Sequence, residues 1–269
     1  MAVLAQHDDG KLAEVWSRLD LVTDPELDEP VTDLGFIERV AVSDDGVVDI
    51  EFRLPTYWCS ANFAFLMADD IHRSVSALAW TREVRPHLHD HMVAEEINRG
   101  VRLGLSFGQV FREFDTGDTL DELREKFRRK AFERRQEAVI LVMRAAGCDV
   151  AALCRMTLAT FDQVDLGLGE APRQKRRYRE ILIEKGLAAA SGDRAFITYN
   201  GRAIEGHELR PYLQRLRAVR INMEFNSALC RGLLDARYSG VRQEAADAGG
   251  CGKGCGSACS KRQALALSN

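Results

Sequence analysis

Apolar positions along this chain change period several times, and each change marks an element. From Lys11 to Leu21 they fall at Leu12, Val15, Trp16 and Leu19, the three-to-four spacing of an amphipathic helix. Asp24-Pro25-Glu26 ends that helix, because Pro disfavours helical geometry in the residue before it. Phe36 to Val42 and Val47 to Leu54 read as two strands, with Asp44-Asp45-Gly46 between them as a hairpin signal. In the second strand Val48, Ile50, Phe52 and Leu54 share one face and Asp49, Glu51 and Arg53 the other. That alternation predicts a sheet covered on one side only. The loop Leu54-Pro-Thr-Tyr-Trp-Cys59 leads into a helix with Phe63, Leu66, Met67, Ile71, Val75 and Leu78 as its buried stripe. Thr81 to Val84 reads as a third strand and Met92 to Arg99 as a short closing helix.

From residue 105 onward the pattern is mostly helical. A charged stretch runs from Asp118 to Ala146, with Phe127, Phe132, Val139, Leu141 and Val142 as its apolar positions. Arg124 to Arg135 is dense in Arg and Lys, but Glu122, Glu125, Glu133 and Glu137 interleave. That mixture predicts a solvated, ion-paired helix surface rather than a nucleic-acid footprint. Gly147-Cys148-Asp149 closes the helix. Two short helices follow, Val150 to Cys154 and Thr157 to Val164, then a longer one from Lys175 to Lys185. The segment from Tyr178 to Ile204 resembles the last helix and wing of a winged-helix domain. Glu205 to Arg237 reads as one or two terminal helices, and Ala245-Ala-Asp-Ala-Gly-Gly loosens into a glycine-rich tail. The predicted organisation is α+β: a small α/β domain with a three-stranded sheet over residues 10–101, a helical, winged-helix-like region over 105–245, and a flexible cysteine-rich tail over 246–269.

Composition narrows the function classes. The 269 residues are enough for two modest domains, and 46% hydrophobic with 29% charged residues is ordinary for a globular protein. A net charge of −4 supplies no global attraction to nucleic acid or anionic membrane. No apolar run approaches the roughly 20 residues that span a bilayer, and the N-terminus lacks the basic and apolar regions of a signal peptide. A reducing cytoplasm is the expected compartment. There, seven cysteines, an odd number, read as free thiols or ligands rather than a disulfide framework.

Cys59 stands where the loop meets a helix N-terminus, whose outward N–H groups stabilise a thiolate. A thiolate attacks sulfur or ligates metal; a buried structural cysteine is the alternative. The surroundings of Cys59 carry a resemblance. Asp24-Pro25-Glu26-Leu27, Pro30-Val31-Thr32-Asp33-Leu34-Gly35, a hairpin, then Thr56 and Cys59 before a helix are similar to the PaaD/SufT-like iron–sulfur assembly family. Its pattern runs DPE, PVxDLG and a Thr-containing loop ending in Cys-Pro. The likeness covers about the first hundred residues. It implies a small α/β domain that helps assemble or deliver iron–sulfur clusters or iron, and it carries over Asp24, Glu26, Asp33, Thr56 and Cys59. The loop departs from the pattern: Tyr57-Trp58 precede the cysteine and Ser60 follows it, a bulkier surround for the same thiol. For Asp24 the cap of a turn is the preferred reading. Asp33 reads either as a backbone acceptor before Gly35 or as a carboxylate that binds iron or accepts a proton.

Two further clusters bear on metal chemistry. Pro86-His87-Leu88-His89-Asp90-His91 places histidines two apart, but a polar loop with Asp90 as the N-cap of the next helix is the preferred reading. Cys251-Gly-Lys-Gly-Cys255-Gly-Ser-Ala-Cys259 puts three thiols in nine glycine-rich residues, where no packed core explains them. Thiolates on a pliable backbone suit zinc, copper(I) or an iron–sulfur cluster. The spacing matches neither the paired C-x2-C of zinc sites nor a ferredoxin run. Cys148, Cys154 and Cys230 lie in helical, apolar contexts and read as structural.

The expected function is an accessory factor that assembles or delivers an iron–sulfur cluster or iron, bound transiently, to a client metalloenzyme. An iron-dependent monooxygenase is the client class the resemblance implies. Cys59 is the acceptor, Cys251, Cys255 and Cys259 form a carrier arm, and the helical region recognises the client and the assembly proteins. No substrate turnover is expected, since no acid–base pair, phosphate loop or nucleophile–His–Asp signature is present. The alternatives are a metal- or redox-sensing DNA-binding regulator and a structural zinc protein. Oligomeric state is left open, a homodimer included.

Overall fold

The computed structural model describes residues 4–111 and 120–248, with side chains from 10 to 111 and from 120 to 238. The tail cysteines Cys251, Cys255 and Cys259 lie outside the described residues. The chain begins with α1 (Leu4–Leu19), then a short antiparallel pair, β1 (Thr23–Asp24) and β2 (Glu29–Pro30). Strands β3 (Ile37–Val42) and β4 (Val47–Arg53), helix α2 (Ala61–Ser76), strand β5 (Glu83–His89) and helices α3 (Ala94–Arg102) and α4 (Phe107–Val110) follow. The sheet order is β3-β4-β5, with β3 antiparallel and β5 parallel to β4. Helix α2 makes the crossover that parallel pairing requires. Gly46 turns the β3–β4 hairpin at φ +82°, and a Cβ there would lie 2.6 Å from the Trp80 carbonyl oxygen, so only glycine fits.

The first core forms as the alternation in β4 predicts. Val48, Ile50, Phe52 and Leu54 are buried against Phe65, Met67, Ile71 and Val75 of α2 and Val15 and Leu19 of α1. Two expectations for this part need correcting. The polar loop expected at Pro86–His91 is largely strand: β5 continues to His89 because Val84, Pro86 and Leu88 alternate inward while Arg85 and His87 face out. Pro86 is tolerated because β5 is an edge strand. That edge is covered by Asn98 of α3, which accepts from Leu88 N at 2.8 Å and donates to Leu88 O at 3.0 Å. Asp90 caps no helix; α3 starts at Ala94 after Val93, and Asp90 turns the chain at φ +50°. The sheet's other face is not wholly open either. Arg53 is buried there, its guanidinium 3.8 Å from the ring centroid of Tyr238.

The remainder is helical: α5 (Leu120–Ala145), α6 (Val150–Arg155), α7 (Leu158–Gln163), α8 (Glu170–Glu184) and α9 (Leu209–Ala248). Helix α9 is a single element of 40 residues and runs through Ala245–Ala248, where loosening was expected. Asp149 caps α6 by accepting from Ala152 N at 2.8 Å, and Thr157 caps α7. The expected wing consists of two isolated antiparallel bridges, Thr157 with Arg194 and Ile197 with Ala203, not of strands. A second core gathers Phe132, Val139 and Ile140 of α5 around Phe161, Tyr178, Phe196 and Leu216. Tyr178 and Phe196 stack with ring centroids 5.8 Å apart.

The two cores are joined by buried charge. Arg134 and Arg135, expected on a solvated helix face, are buried. Arg134 donates to Leu27 O at 2.6 Å and to Glu29 at 3.1 Å. Arg135 donates to both the carboxylate and the carbonyl of Asp28, and to Gln174 of α8 at 2.7 Å. Arg177 completes the pairing on Asp28 at 3.4 Å. The Leu27, Asp28 and Glu29 partners lie over a hundred residues away in sequence, which is why periodicity could not place these arginines.

Candidate functional site

The loop from β4 to α2 is anchored at its base and open at its tip. Leu54 and Pro55 are buried, while Tyr57 and Trp58 are 50% and 72% exposed. Cys59 is half-buried, and its Sγ lies 3.1 Å from Thr56 Oγ1. The β5–α3 turn clamps the loop from the side. Met92 N donates to Tyr57 O at 2.8 Å, and His91 Nε2 lies 2.8 Å from Cys59 O. Val93 N donates to His91 Nδ1 at 3.4 Å, which assigns Nε2 as the donor to Cys59 O. Burial depresses the His91 pKa, keeping the ring neutral in that role.

Asp24 is the last residue of β1, at the head of the turn to β2. Its Oδ1 accepts from Glu26 N at 2.8 Å and Leu27 N at 2.9 Å, the turn-capping role. Burial nevertheless pushes its carboxyl up to about 6 against those two bonds, with help from the Glu26 and Glu29 charges. The folded state therefore holds a proton that the unfolded chain releases near pH 4. Stability falls as pH rises from about 4 to about 6 and is level above that. Asn keeps the accepting oxygen without the charge. Asp24→Asn is expected to raise stability at pH 7 by on the order of 1–3 kcal/mol, with the gain vanishing below about pH 4. Urea unfolding at a series of pH values checks this; a difference from wild type that is flat across pH 4–7 contradicts it.

Helix α9 lies across this face. Asn226 donates to Glu26 at 3.2 Å, Ser227 to Glu29 at 3.1 Å, and Arg231 to Glu29 and to Asp33 O, both at 2.5 Å. Burial opposes charge on Glu29, but Arg231, Arg134 and Ser227 hold its carboxyl below the ordinary value. Leu234 packs over Gly35, and Arg237 reaches Asp90 O at 3.0 Å and Leu54 O at 3.5 Å. Cys230 lies in the same seam, half-buried. Burial first, and then the charges of Asp24, Cys59 and Glu26, push its thiol up to about 11.

The fold thus brings some of the sequence-derived candidates together and disperses others. Thr56 meets Cys59. Glu26 is held by Asn226. Asp33 forms an exposed ion pair with Arg173 of α8. His87 and His89 share the outer face of β5 with ring centroids 4.5 Å apart. Among the described residues no group of three or more His, Cys, Asp or Glu is arranged to hold a metal ion. The basic residues of α8 that would meet phosphates have protein acceptors: Lys175 takes Asp162 O and Val164 O, Arg176 pairs with Glu180, Arg177 with Asp28 and Arg179 with Asp162. Sequence reasoning missed that His91 holds the Cys59 loop and that Cys230, read as structural, lies on the face of α9 that covers this domain. The three-to-four spacing of Met223, Ser227, Cys230, Leu234 and Tyr238 marks a seam on α9, but nothing in it names the surface it faces.

A three-stranded sheet crossed by one helix, with a half-exposed cysteine held by a threonine just before that helix, defines a small thiol-bearing α/β domain. Residues 12–85 match the family model described as iron-sulfur cluster assembly protein. This part of the chain is a domain of that kind, consistent with the PaaD/SufT-like resemblance. The match ends in β5, so α3 to α9 lie outside it. No curated protein matches the chain. No helix among the described residues is long and apolar enough to cross a membrane.

Proposed function

We propose that this protein is an accessory factor that receives an iron–sulfur cluster or iron and passes it to a client metalloenzyme, with Cys59 as the acceptor thiol. The observation that carries the reading is the Cys59 loop within the iron–sulfur assembly domain: a half-exposed thiol paired to Thr56, on a loop clamped by His91, at the domain edge. A partly exposed thiol on a fixed backbone suits exchange of a thiophilic cargo. Zinc fits the same donor. Tyr57 and Trp58, exposed beside the thiol, form a contact surface for the donor or client protein. An iron-dependent monooxygenase is the proposed client class.

The region of α5 to α9 serves as the docking module in this reading, in place of a DNA-binding winged helix. The ion pairs that occupy the α8 arginines, and the two backbone carbonyls that take Lys175, support docking over DNA binding. So does an exposed apolar stripe on α9, at Ile221, Phe225, Leu229 and Leu233. Cys251, Cys255 and Cys259 are proposed as a carrier arm on their sequence alone. The bounds 10–101, 105–245 and 246–269 are the proposed division of labour among domain, docking module and arm.

Anaerobic reconstitution of the full chain with iron and sulfide tests the reading. Thiolate-to-iron charge-transfer absorption is expected in the wild type, and Cys59→Ser is expected to abolish activation of the client. Normal client activation by Cys59→Ser would sink the assignment of Cys59; absence of the charge-transfer band in the wild type would sink the cargo.

A further inference from the structure

We infer that Cys230 of α9 is the second protein thiol of the Cys59 site, so that the two sulfurs together hold a single thiophilic divalent metal ion. This rests on the reading of Cys59 above and adds a residue from far outside the family match, which ends in β5.

The argument is one of placement. Asn226 is one turn before Cys230 and bonds Glu26; Leu234 is one turn after and packs over Gly35; Arg237 continues to Leu54 O, the first residue of the Cys59 loop. Residues three and four apart on a helix share a face. Cys230 is therefore held on the face of α9 that covers the assembly domain, between the Glu26 turn and the root of the Cys59 loop. Both sulfurs pack at the margin of the first core, and both are half-buried.

The chemistry follows from two donors. Two thiolates occupy two positions of a tetrahedral thiophilic ion, and each thiol that binds gives its proton to solvent with no change of oxidation state. No third described side chain completes the set. The open positions accept sulfide, a small thiol or a ligand from the receiving protein. A site with half its ligands missing releases its ion to a site with all of them.

Cadmium(II) alone is the probe, on the full chain with Cys251, Cys255 and Cys259 changed to Ser so that tail thiols do not compete. Alkylation by iodoacetamide, read by peptide mass spectrometry, reports each thiol separately. Cadmium is expected to protect Cys59 and Cys230 together, at the same half-saturating concentration, while Cys148 and Cys154 alkylate as before. Cys230→Ser is expected to weaken cadmium binding, followed by thiolate-to-cadmium absorbance, at least about tenfold. Protection of one of the two thiols without the other, or of neither, overturns the inference. The protection arm leaves Cys230 in place and is read whether or not Cys230→Ser folds. The role of Cys59 itself is judged by the iron and sulfide reconstitution, so the two fail separately.

Discussion

Asp28→Asn is expected to destabilise the folded chain by about 3–5 kcal/mol, the cost of leaving a buried charge without its partner. Asp28 is 4% exposed and takes Arg135 through both its carboxylate and its carbonyl, with Arg177 at 3.4 Å. Arg135 is itself buried, and Arg134 beside it is shared with Glu29. An arginine does not shed its proton to escape such a site, so the loss of the carboxylate charge falls on the fold. Asn isolates that charge: Asp28 sits at φ +49°, a conformation that Asn also tolerates. Because Asp28 belongs to the assembly domain and Arg135 and Arg177 to the helical region, the loss also loosens one from the other. The three tryptophans all lie in the first eighty residues, so their fluorescence follows the first core, while far-ultraviolet circular dichroism is dominated by the later helices. Urea transitions by the two probes are expected to separate in the variant. Coincident transitions with a loss under about 1 kcal/mol would remove the ion pair as the joint.

Gln136→Leu is expected to cost on the order of 2–5 kcal/mol and to act on the second core alone. Gln136 is fully buried on α5 and makes three hydrogen bonds through its amide. Its Nε2 donates to Tyr178 Oη at 2.8 Å and to Ile197 O at 2.7 Å, and its Oε1 accepts from Tyr212 Oη at 2.5 Å. Tyr178 passes the chain on to Ala195 O at 2.7 Å. Burial drives both phenol pKa values up, so both hydroxyls stay protonated as donors. Leucine fills similar space but strands the Tyr212 hydroxyl and the Ile197 carbonyl, each unpaired buried group costing about 1–3 kcal/mol. The network tethers α8, α9 and the 195–204 segment to one side chain, so the effect exceeds that of a single surface bond. In a Tyr212→Phe background the same substitution is expected to cost less, since one stranded donor is gone. Equal costs in the two backgrounds would show that the Gln136–Tyr212 bond carries nothing.

These two sites show how legibility divides. The first core was readable because its signals are local. Val48, Ile50, Phe52 and Leu54 alternate on one strand, Gly46 permits one turn, and Asp24, Thr56 and Cys59 fall within residues 12–85, the stretch the family model matches. The misread segment, Pro86 to His89, failed for a stated reason. A proline and two histidines look like a loop, and only the parallel register with β4, and Asn98 on the far edge, make it a strand. Asp33 reads in the motif as a backbone acceptor or a carboxylate for iron or a proton, but its side chain pairs with Arg173, a residue of an element the motif does not contain.

What the sequence determined by itself is most of the elements, the Cys59 loop between strand and helix, and the resemblance that the family model bears out over residues 12–85. Periodicity and turn residues act over a few residues, and so does the geometry that places Thr56 against Cys59. What the tertiary structure decided is which surfaces meet: that Arg134 and Arg135 are buried joints, that His91 holds the loop, and that α9 lays Asn226, Cys230 and Arg237 across the assembly domain. A helix face carries the same apolar and polar spacing whatever it packs against. Its partner is chosen by shape and charge complementarity between segments that lie one to two hundred residues apart, and no local pattern encodes that distance.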